Sequence, residues 1–366
     1  MKNSKVHDMN APVWFDGTNI NEVILCDEFL SCHKIIFANG AFFTPDGRVT
    51  DDLPLRGEIY EELKCCAVNN ILRKITNILE VMKLAAHVED FASEADRIHL
   101  ANGTLKLDGS FAEGRPDIVR SRLPVAYRSD ALAPVRWFFF LDGLLYAEDI
   151  PTLQEFIGYC LIPSNKGQRM MVIKGNGGEG KSQIGAVLGA LLGSNMKDGS
   201  IGKISENRFA RADLEHILLC VDDDMRMEVL RQTNYVKSIV MAQGKMDLER
   251  KGKQSYQGWM FACLLAFSNG DLQALYDRSD GFYRRQLVLT TKEKPAGRGD
   301  DPDLAEKMKD EAEGFFLWAF DRCVDVMTKL MLKHGNQVLE KCEKNDSASL
   351  PKLPEKEGNN SLDNVA

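Results

Sequence analysis

Apolar positions along the chain alternate between short continuous runs and helical spacing. Residues 169–174 (Arg-Met-Met-Val-Ile-Lys) form an apolar run of strand length, and Ile184, Val187, Leu188, Leu191 and Leu192 then recur on one face of a helix. Ile217 to Val221 and Trp259 to Phe267 are further strand-like runs. From Gly175 to about Val288 strands therefore alternate with helices, which predicts an α/β core with a parallel sheet flanked by helices.

The flanking segments have other patterns. Ile59, Leu63, Cys66, Ile71, Ile75, Ile78, Leu79 and Met82 keep a roughly helical period between Pro54 and Glu89-Asp90, so the first part is expected to be mainly helical. From Ile98 to Gly109, alternating apolar residues flank Asn102-Gly103 and predict a hairpin. Leu153 to Ile162 reads as a helix leading into the first core strand, and Asp303 to Lys333 as a helical stretch carrying Phe315, Phe316, Trp318 and Phe320. Glu343 to Ala366 is polar and poor in large apolar groups, as in a linker or disordered tail. Four segments result: 1–97, mainly helical; 98–165, a connector; 166–334, the core; 335–366, a polar tail.

Between the first core strand and its helix lies Gly175-Asn176-Gly177-Gly178-Glu179-Gly180-Lys181-Ser182, a full match to GxxxxGK[ST]. Strand, glycine loop and helix supply the mechanism, because glycines let successive amides converge on a phosphate chain at a helix N-terminus. ATP with Mg²⁺ is the ligand this implies. Lys181 would face the β and γ phosphates, and the Ser182 hydroxyl the metal.

Later motifs suggest what is done with the nucleotide. The run ending at Val221 delivers Asp222-Asp223-Asp224 to the end of a strand. One carboxylate would hold Mg²⁺ and a second would orient or deprotonate water; Asp222 is assigned to the metal and Asp223 to the water, with Asp224 in reserve. Asn269, after the Trp259 to Phe267 run, could contact the γ-phosphate, although on residue type alone Asn269-Gly270 is more simply a turn. Residues 245–256 predict a hairpin with Lys251-Gly252-Lys253 at its tip. Arg250, Lys251 and Lys253 make a positive knob suited to a nucleic-acid backbone, or equally a solvated edge. Arg284-Arg285 are either surface cations or an arginine finger that stabilises charge on a transferring phosphoryl group.

Composition adjusts this picture only slightly. The 366 residues are 44% apolar and 27% charged, enough for two domains with a sizeable core. A net charge of −8 argues against indiscriminate nucleic-acid binding while leaving room for a local basic channel. No apolar run is long enough to span a bilayer and no signal core follows the N-terminus, so no membrane partner is expected and the chain should remain in the cytoplasm where it is made. Nine scattered cysteines fit reduced thiols; Cys26, Cys32, His33 and Cys65-Cys66 lack the paired spacing of a zinc site.

The order of phosphate loop, carboxylate strand, basic hairpin, Asn-tipped strand and Arg pair resembles the core of superfamily 3 helicases of the AAA+ class. Upstream, residues 98–108, 122–127 and 153–162 resemble the segment that precedes the ATPase in phage and plasmid primase-helicases, which are related to the poxvirus enzyme. The resemblance implies a P-loop AAA+ core preceded by a helical collar. It also implies a homo-oligomeric ring, a hexamer, that hydrolyses ATP between subunits and draws single-stranded or forked DNA through its channel during replication. A separate primase or polymerase would be a partner, and a bacterial cytoplasm the setting. By carry-over Lys181 and Ser182 serve phosphate and Mg²⁺, Asp222 and Asp223 the second acidic motif, Asn269 the sensor, Lys251 and Lys253 the DNA, and Arg284 or Arg285 the finger. The chain departs from the family in having aspartates where a glutamate is usual, too few residues before the connector for a primase domain, and a polar tail where a winged helix often follows. A P-loop ATPase acting as a DNA-bound initiator or remodeller shares every ATP residue and is the alternative reading.

Overall fold

The structure, a computed structural model, describes residues 12–49, 51–66, 69–89, 91, 93–114, 118–225, 233–242, 244–252, 254–269, 282, 284–294, 299 and 301–323. The predicted tail, 335–366, and Lys253 lie outside them.

The N-terminal part contains α1 (Glu22–Cys32), α2 (Leu53–Leu63) and α3 (Ile71–Ala85), which bury Leu25, Phe29, Ile59, Leu63, Ile75, Ile78 and Met82 in one cluster. It is less uniformly helical than the periodicity predicts. An antiparallel meander, β1 (Ile36–Ala38), β2 (Ala41–Thr44) and β3 (Gly47–Arg48), lies between α1 and α2. Strands of two to four residues are too short to display a period. Its first turn, Asn39-Gly40, has positive φ at both positions (51° and 77°), the geometry that a tight hairpin requires.

The predicted connector hairpin is present as β4 (Arg97–Leu100) and β5 (Gly103–Lys106), with β6 (Phe111–Glu113) added. Leu100 pairs with Gly103, so the turn is Ala101-Asn102, one residue earlier than the Asn-Gly signal suggests. Gly103 serves packing instead: a Cβ there would lie 2.4 Å from the Ala112 carbonyl oxygen and 2.5 Å from the Phe111 ring. The chain then runs through α4 (Val135–Leu144) and α5 (Ile150–Tyr159) into the central sheet.

That sheet has five parallel strands in the order β13-β7-β12-β9-β8. They are β7 (Met170–Lys174), β8 (Met196–Asp198), β9 (Leu219–Asp222), β12 (Cys263–Ser268) and β13 (Gln286–Thr290). A hairpin of β10 (Gly244–Leu248) and β11 (Tyr256–Met260) stands apart from it. Alternate residues of β7 enter two different cores, Met171 and Ile173 on one side, Met170 and Val172 on the other. A strand covered on both faces reads as a continuous apolar run, which is why β7 is conspicuous in the sequence. The expected single strand from Trp259 to Phe267 is in fact two. β11 ends at Met260, and β12 begins at Cys263 after a break at Phe261-Ala262. Both break residues are buried, so no polar residue marks it.

Helices flank the sheet: α6 (Ser182–Leu192), α7 (Ile201–Glu206), α8 (Arg208–Ala212), α9 (Thr233–Met241), α10 (Leu304–Lys309) and a closing helix over 312–323. One buried cluster joins the connector (Ile98, Leu105), α4 (Trp137), α5 (Leu153, Ile157), α6 (Leu188) and the closing helix (Phe315, Phe316). The architecture is thus mixed α/β and compatible with a P-loop-like core. Among the described residues no helix is long and apolar enough to cross a membrane.

Candidate functional site

In open parallel sheets, ligands bind beyond the carboxyl ends of the strands where successive connections run to opposite sides. β7 is that place here, because α6 leads from it to β8 at one edge while β13 lies on its other side. The glycine-rich segment 175–181 follows β7 directly and Ser182 begins α6. The segment is anchored by Gly175 N–H donating to the Ser268 carbonyl at 3.0 Å, and by Thr291 N–H donating to the Lys174 carbonyl at 2.8 Å.

Conformation explains the glycines. Gly177, Gly178 and Gly180 have φ of 102°, 81° and 107°, values that side chains resist. At Gly175 the limit is space: a Cβ would meet Lys181 Nζ and Thr291 Oγ1, each at 2.6 Å, and Glu179 Oε2 at 2.9 Å.

Within the loop, Glu179 and Lys181 form a buried pair, with side chains 4% and 6% exposed and Nζ to Oε2 at 2.8 Å. Glu179 also accepts from the Asn176 N–H through Oε1 and from the Gly177 N–H through Oε2, the latter at 3.0 Å. Burial pushes the Glu179 carboxyl up, but the Lys181 hydrogen bond, the backbone donors and the Lys181 charge outweigh it, and the net shift is downward. The loop thus holds an anionic group of its own on a lysine and two amides.

The acidic strand ends on the same edge. Asp222, at the end of β9, is buried, and its Oδ2 accepts from the Ile201 N–H at 2.6 Å at the start of α7. Burial raises its pKa, offset in part by the Ile201 and Asp224 N–H donors and reinforced by the Asp224 and Asp223 charges. Asp223 and Asp224 are exposed just beyond it. Asn269 follows β12 and is exposed, one residue past the Ser268 that pairs with Lys174. Ser182 is exposed at the first turn of α6. Asn176, Gly177 and Gly178 are exposed too, whereas Gly175 is buried.

The remaining predicted residues lie elsewhere. Arg284 and Arg285 precede β13, and Gln286 pairs with Met170 at the start of β7, which puts the Arg pair at the opposite end of the strands from the loop. Arg284 is exposed; Arg285 is buried, and burial, then Arg284 and Arg169, lower its pKa. The tip of the β10–β11 hairpin holds Lys251, exposed, and Gly252 with φ 75°. Arg250 folds back from it, donating to Glu215 Oε2 at 2.8 Å and to the Asn39 carbonyl at 3.4 Å, so it ties the hairpin to the segment between α8 and β9 and to the N-terminal meander. A nucleic-acid contact by Arg250 would require release of that pair.

Two features of this edge are not evident from sequence. Thr291, buried beside Lys181 with an Oγ1 that has no hydrogen-bond partner, follows β13 and has no motif around it. The internal pairing of Glu179 with Lys181 is the other, and an ionisable residue at a variable motif position was its only signal.

A model for a family of unknown function (DUF5906) matches residues 173–285, from the end of β7 through the loop, acidic strand, hairpin and Asn269 to Arg285. No curated protein matches the chain. Among solved structures, the chain is similar to two apo structures of the NrS-1 C terminal region, with TM-scores of 0.52 and 0.53. Each is 13% identical, over 83% of this chain and 71% of the other. At that identity the likeness is one of fold.

Proposed function

We propose that the chain is an ATP-dependent DNA helicase or translocase of the superfamily 3 AAA+ class, working as a ring in phage or mobile-element replication. The observation that carries this is the convergence on one sheet edge of a glycine loop with three positive-φ glycines, buried Lys181, and the carboxylates that end β9. An edge with a lysine, a glycine loop leading into a helix start and carboxylates for a metal suits a nucleoside triphosphate with Mg²⁺. The fold likeness to the NrS-1 C terminal region over most of both chains is compatible with the proposal.

In this reading Lys181 and the amides of 175–182 hold the phosphates, and Ser182 with Asp222 holds Mg²⁺. Asp223 directs the attacking water and Asn269 senses the γ-phosphate. Entry of the triphosphate competes with Glu179 for Lys181. The Arg pair lies at the far end of the strands from its own loop, which supports a role in trans: Arg284 or Arg285 completes the site of the next subunit in a hexamer. Lys251 and Lys253 at the hairpin tip contact single-stranded DNA, with Arg250 anchoring the hairpin. Segments 1–97, 98–165 and 166–334 act as collar, connector and motor, and a separate primase or polymerase acts alongside.

Strand displacement on a forked duplex with ATP and Mg²⁺ tests the reading. Wild type should separate the strands, while Lys181→Ala and the paired reversal Lys251→Glu with Lys253→Glu should not. ATP hydrolysis without displacement by wild type would instead support an initiator or remodeller.

A further inference from the structure

The phosphate and metal roles above leave Thr291 unused. It is the first residue after β13, the strand beside β7, and its backbone is fixed from two sides. Its N–H donates to the Lys174 carbonyl at 2.8 Å, it forms an antiparallel bridge with Leu145, and the N–H of the next residue, Lys292, donates to the Leu144 carbonyl, also at 2.8 Å. The side chain is thereby delivered to the base of the glycine loop, where the residue is only 6% exposed.

There its hydroxyl is unsatisfied. Thr291 Oγ1 is buried and has no hydrogen-bond partner among the described residues, although a threonine hydroxyl can donate once and accept twice. A dry, unpaired hydroxyl is unfavourable unless a partner reaches it in another state of the protein.

Three polar atoms crowd one point beside it. From the position that a Cβ on Gly175 would take, Lys181 Nζ and Thr291 Oγ1 each lie at 2.6 Å and Glu179 Oε2 at 2.9 Å. Lys181 and Glu179 are bonded to each other at 2.8 Å, and Thr291 is left out. An ammonium thus has one acceptor in use and a second alongside. With three N–H donors, Lys181 can serve a phosphate and a hydroxyl at once.

The Glu179 carboxylate cannot keep its place when a triphosphate enters, because like charges would then be held against each other around one buried cation. Glu179 also occupies the Asn176 and Gly177 amides that the phosphates would take. Its departure frees a Lys181 donor, and a modest shift of Nζ brings that donor to Thr291 Oγ1. Resting on the reading of 175–182 as a phosphate site, we propose that Thr291 is a positioning residue for Lys181. Its hydroxyl accepts from the ammonium once Glu179 has given way, and so holds Nζ against the β and γ phosphates. The exchange also accounts for the narrow space at Gly175, since a side chain there would fill the room in which Nζ passes from Glu179 to Thr291.

Two substitutions in the full chain separate the hydroxyl from the shape of the side chain. Thr291→Val keeps the shape and removes the hydroxyl; Thr291→Ser keeps the hydroxyl and removes the methyl group. Each is compared with wild type by thermal melting without nucleotide, and by titration calorimetry with Mg²⁺ and a non-hydrolysable ATP analogue. Thr291→Val should melt no lower than wild type, because the hydroxyl it loses has no partner in that state. It should bind the analogue about tenfold more weakly, the scale of one hydrogen bond to a charged group, and Thr291→Ser should restore binding. A lower melting temperature of Thr291→Val without nucleotide would show a hydroxyl already bonded within the fold and would overturn the proposal, as would a loss of affinity that Thr291→Ser does not repair. Lys181→Met distinguishes the remaining outcomes. If wild type binds the analogue, Lys181→Met does not, and Thr291→Val binds as wild type does, the role of Thr291 falls and the phosphate site stands. If wild type does not bind it, both fall.

Discussion

Lys181→Ala, the obvious substitution for silencing the glycine loop, has a structural consequence of its own. It leaves the Glu179 carboxylate buried beside the space where its cation lay 2.8 Å away. Breaking a buried ion pair from one side costs about 3–5 kcal/mol, and the lower figure applies here because the Asn176 and Gly177 amides continue to serve the carboxylate. At about 2–4 °C per kcal/mol for domains of this size, melting should fall by roughly 6–12 °C. The pH dependence carries a definite sign. In wild type the lowered Glu179 pKa adds stability above its unfolded value of about 4.3, lost as pH falls through the folded value. Without Lys181, burial dominates and raises the folded pKa, so the contribution is present at acid pH and lost as pH rises. The deficit of Lys181→Ala against wild type should therefore be larger near pH ~8 than near pH ~5. Thermal melts at both pH values measure it, and Glu179→Gln with Lys181→Met should recover most of the loss. A Lys181→Ala protein melting within about 1 °C of wild type at both pH values would show that Lys181 does not neutralise a buried Glu179 carboxylate.

Other consequences can be checked separately. Gly158→Ala puts a Cβ 2.5 Å from the Ala319 carbonyl oxygen and 2.8 Å from the Cys323 N, both backbone atoms of the closing helix, and should cost about 1–3 kcal/mol in chemical denaturation. Asp223→Asn should lower kcat for ATP with little change in nucleotide affinity, while Asp222→Asn should raise the Mg²⁺ concentration needed for half-maximal rate; steady-state kinetics against ATP and Mg²⁺ separate the two. Lys251→Glu with Lys253→Glu should abolish binding of fluorescein-labelled single-stranded DNA in anisotropy while leaving ATP binding intact. Arg284→Ala and Arg285→Ala proteins, each assayed alone and mixed with Lys181→Ala, should reveal which arginine acts in trans: the finger variant is inactive alone and regains hydrolysis on mixing, where its intact loop meets an intact arginine.

What the sequence made legible follows from how each element is buried. β7 and β9 are covered on both faces and stand out as apolar runs, and α6 shows its face because Ile184, Val187, Leu188, Leu191 and Leu192 all reach the core. The loop is readable because its glycines answer to backbone geometry at 177, 178 and 180. The meander of β1 to β3 escaped notice because its strands are shorter than any period, and β11 merged with β12 because Phe261 and Ala262 are as buried as the strands they separate. The place of Thr291 and the anchoring of the hairpin depend on residues distant in the chain coming together, as when Asn39 reaches His216 and Arg250, and no local pattern records such a meeting.

In the proposed function the glycine loop and the carboxylates of β9 turn over ATP in response to DNA. Its most direct measure is the rate of phosphate release with Mg²⁺, with and without single-stranded DNA, for wild type and for Lys181→Met in the Glu179→Gln background, where loss of the cation is separated from loss of stability. Wild type should show Mg²⁺-dependent hydrolysis that rises with DNA, and the double variant should show none. Hydrolysis that persists in the folded double variant, or a wild-type rate indifferent to DNA, would contradict that function.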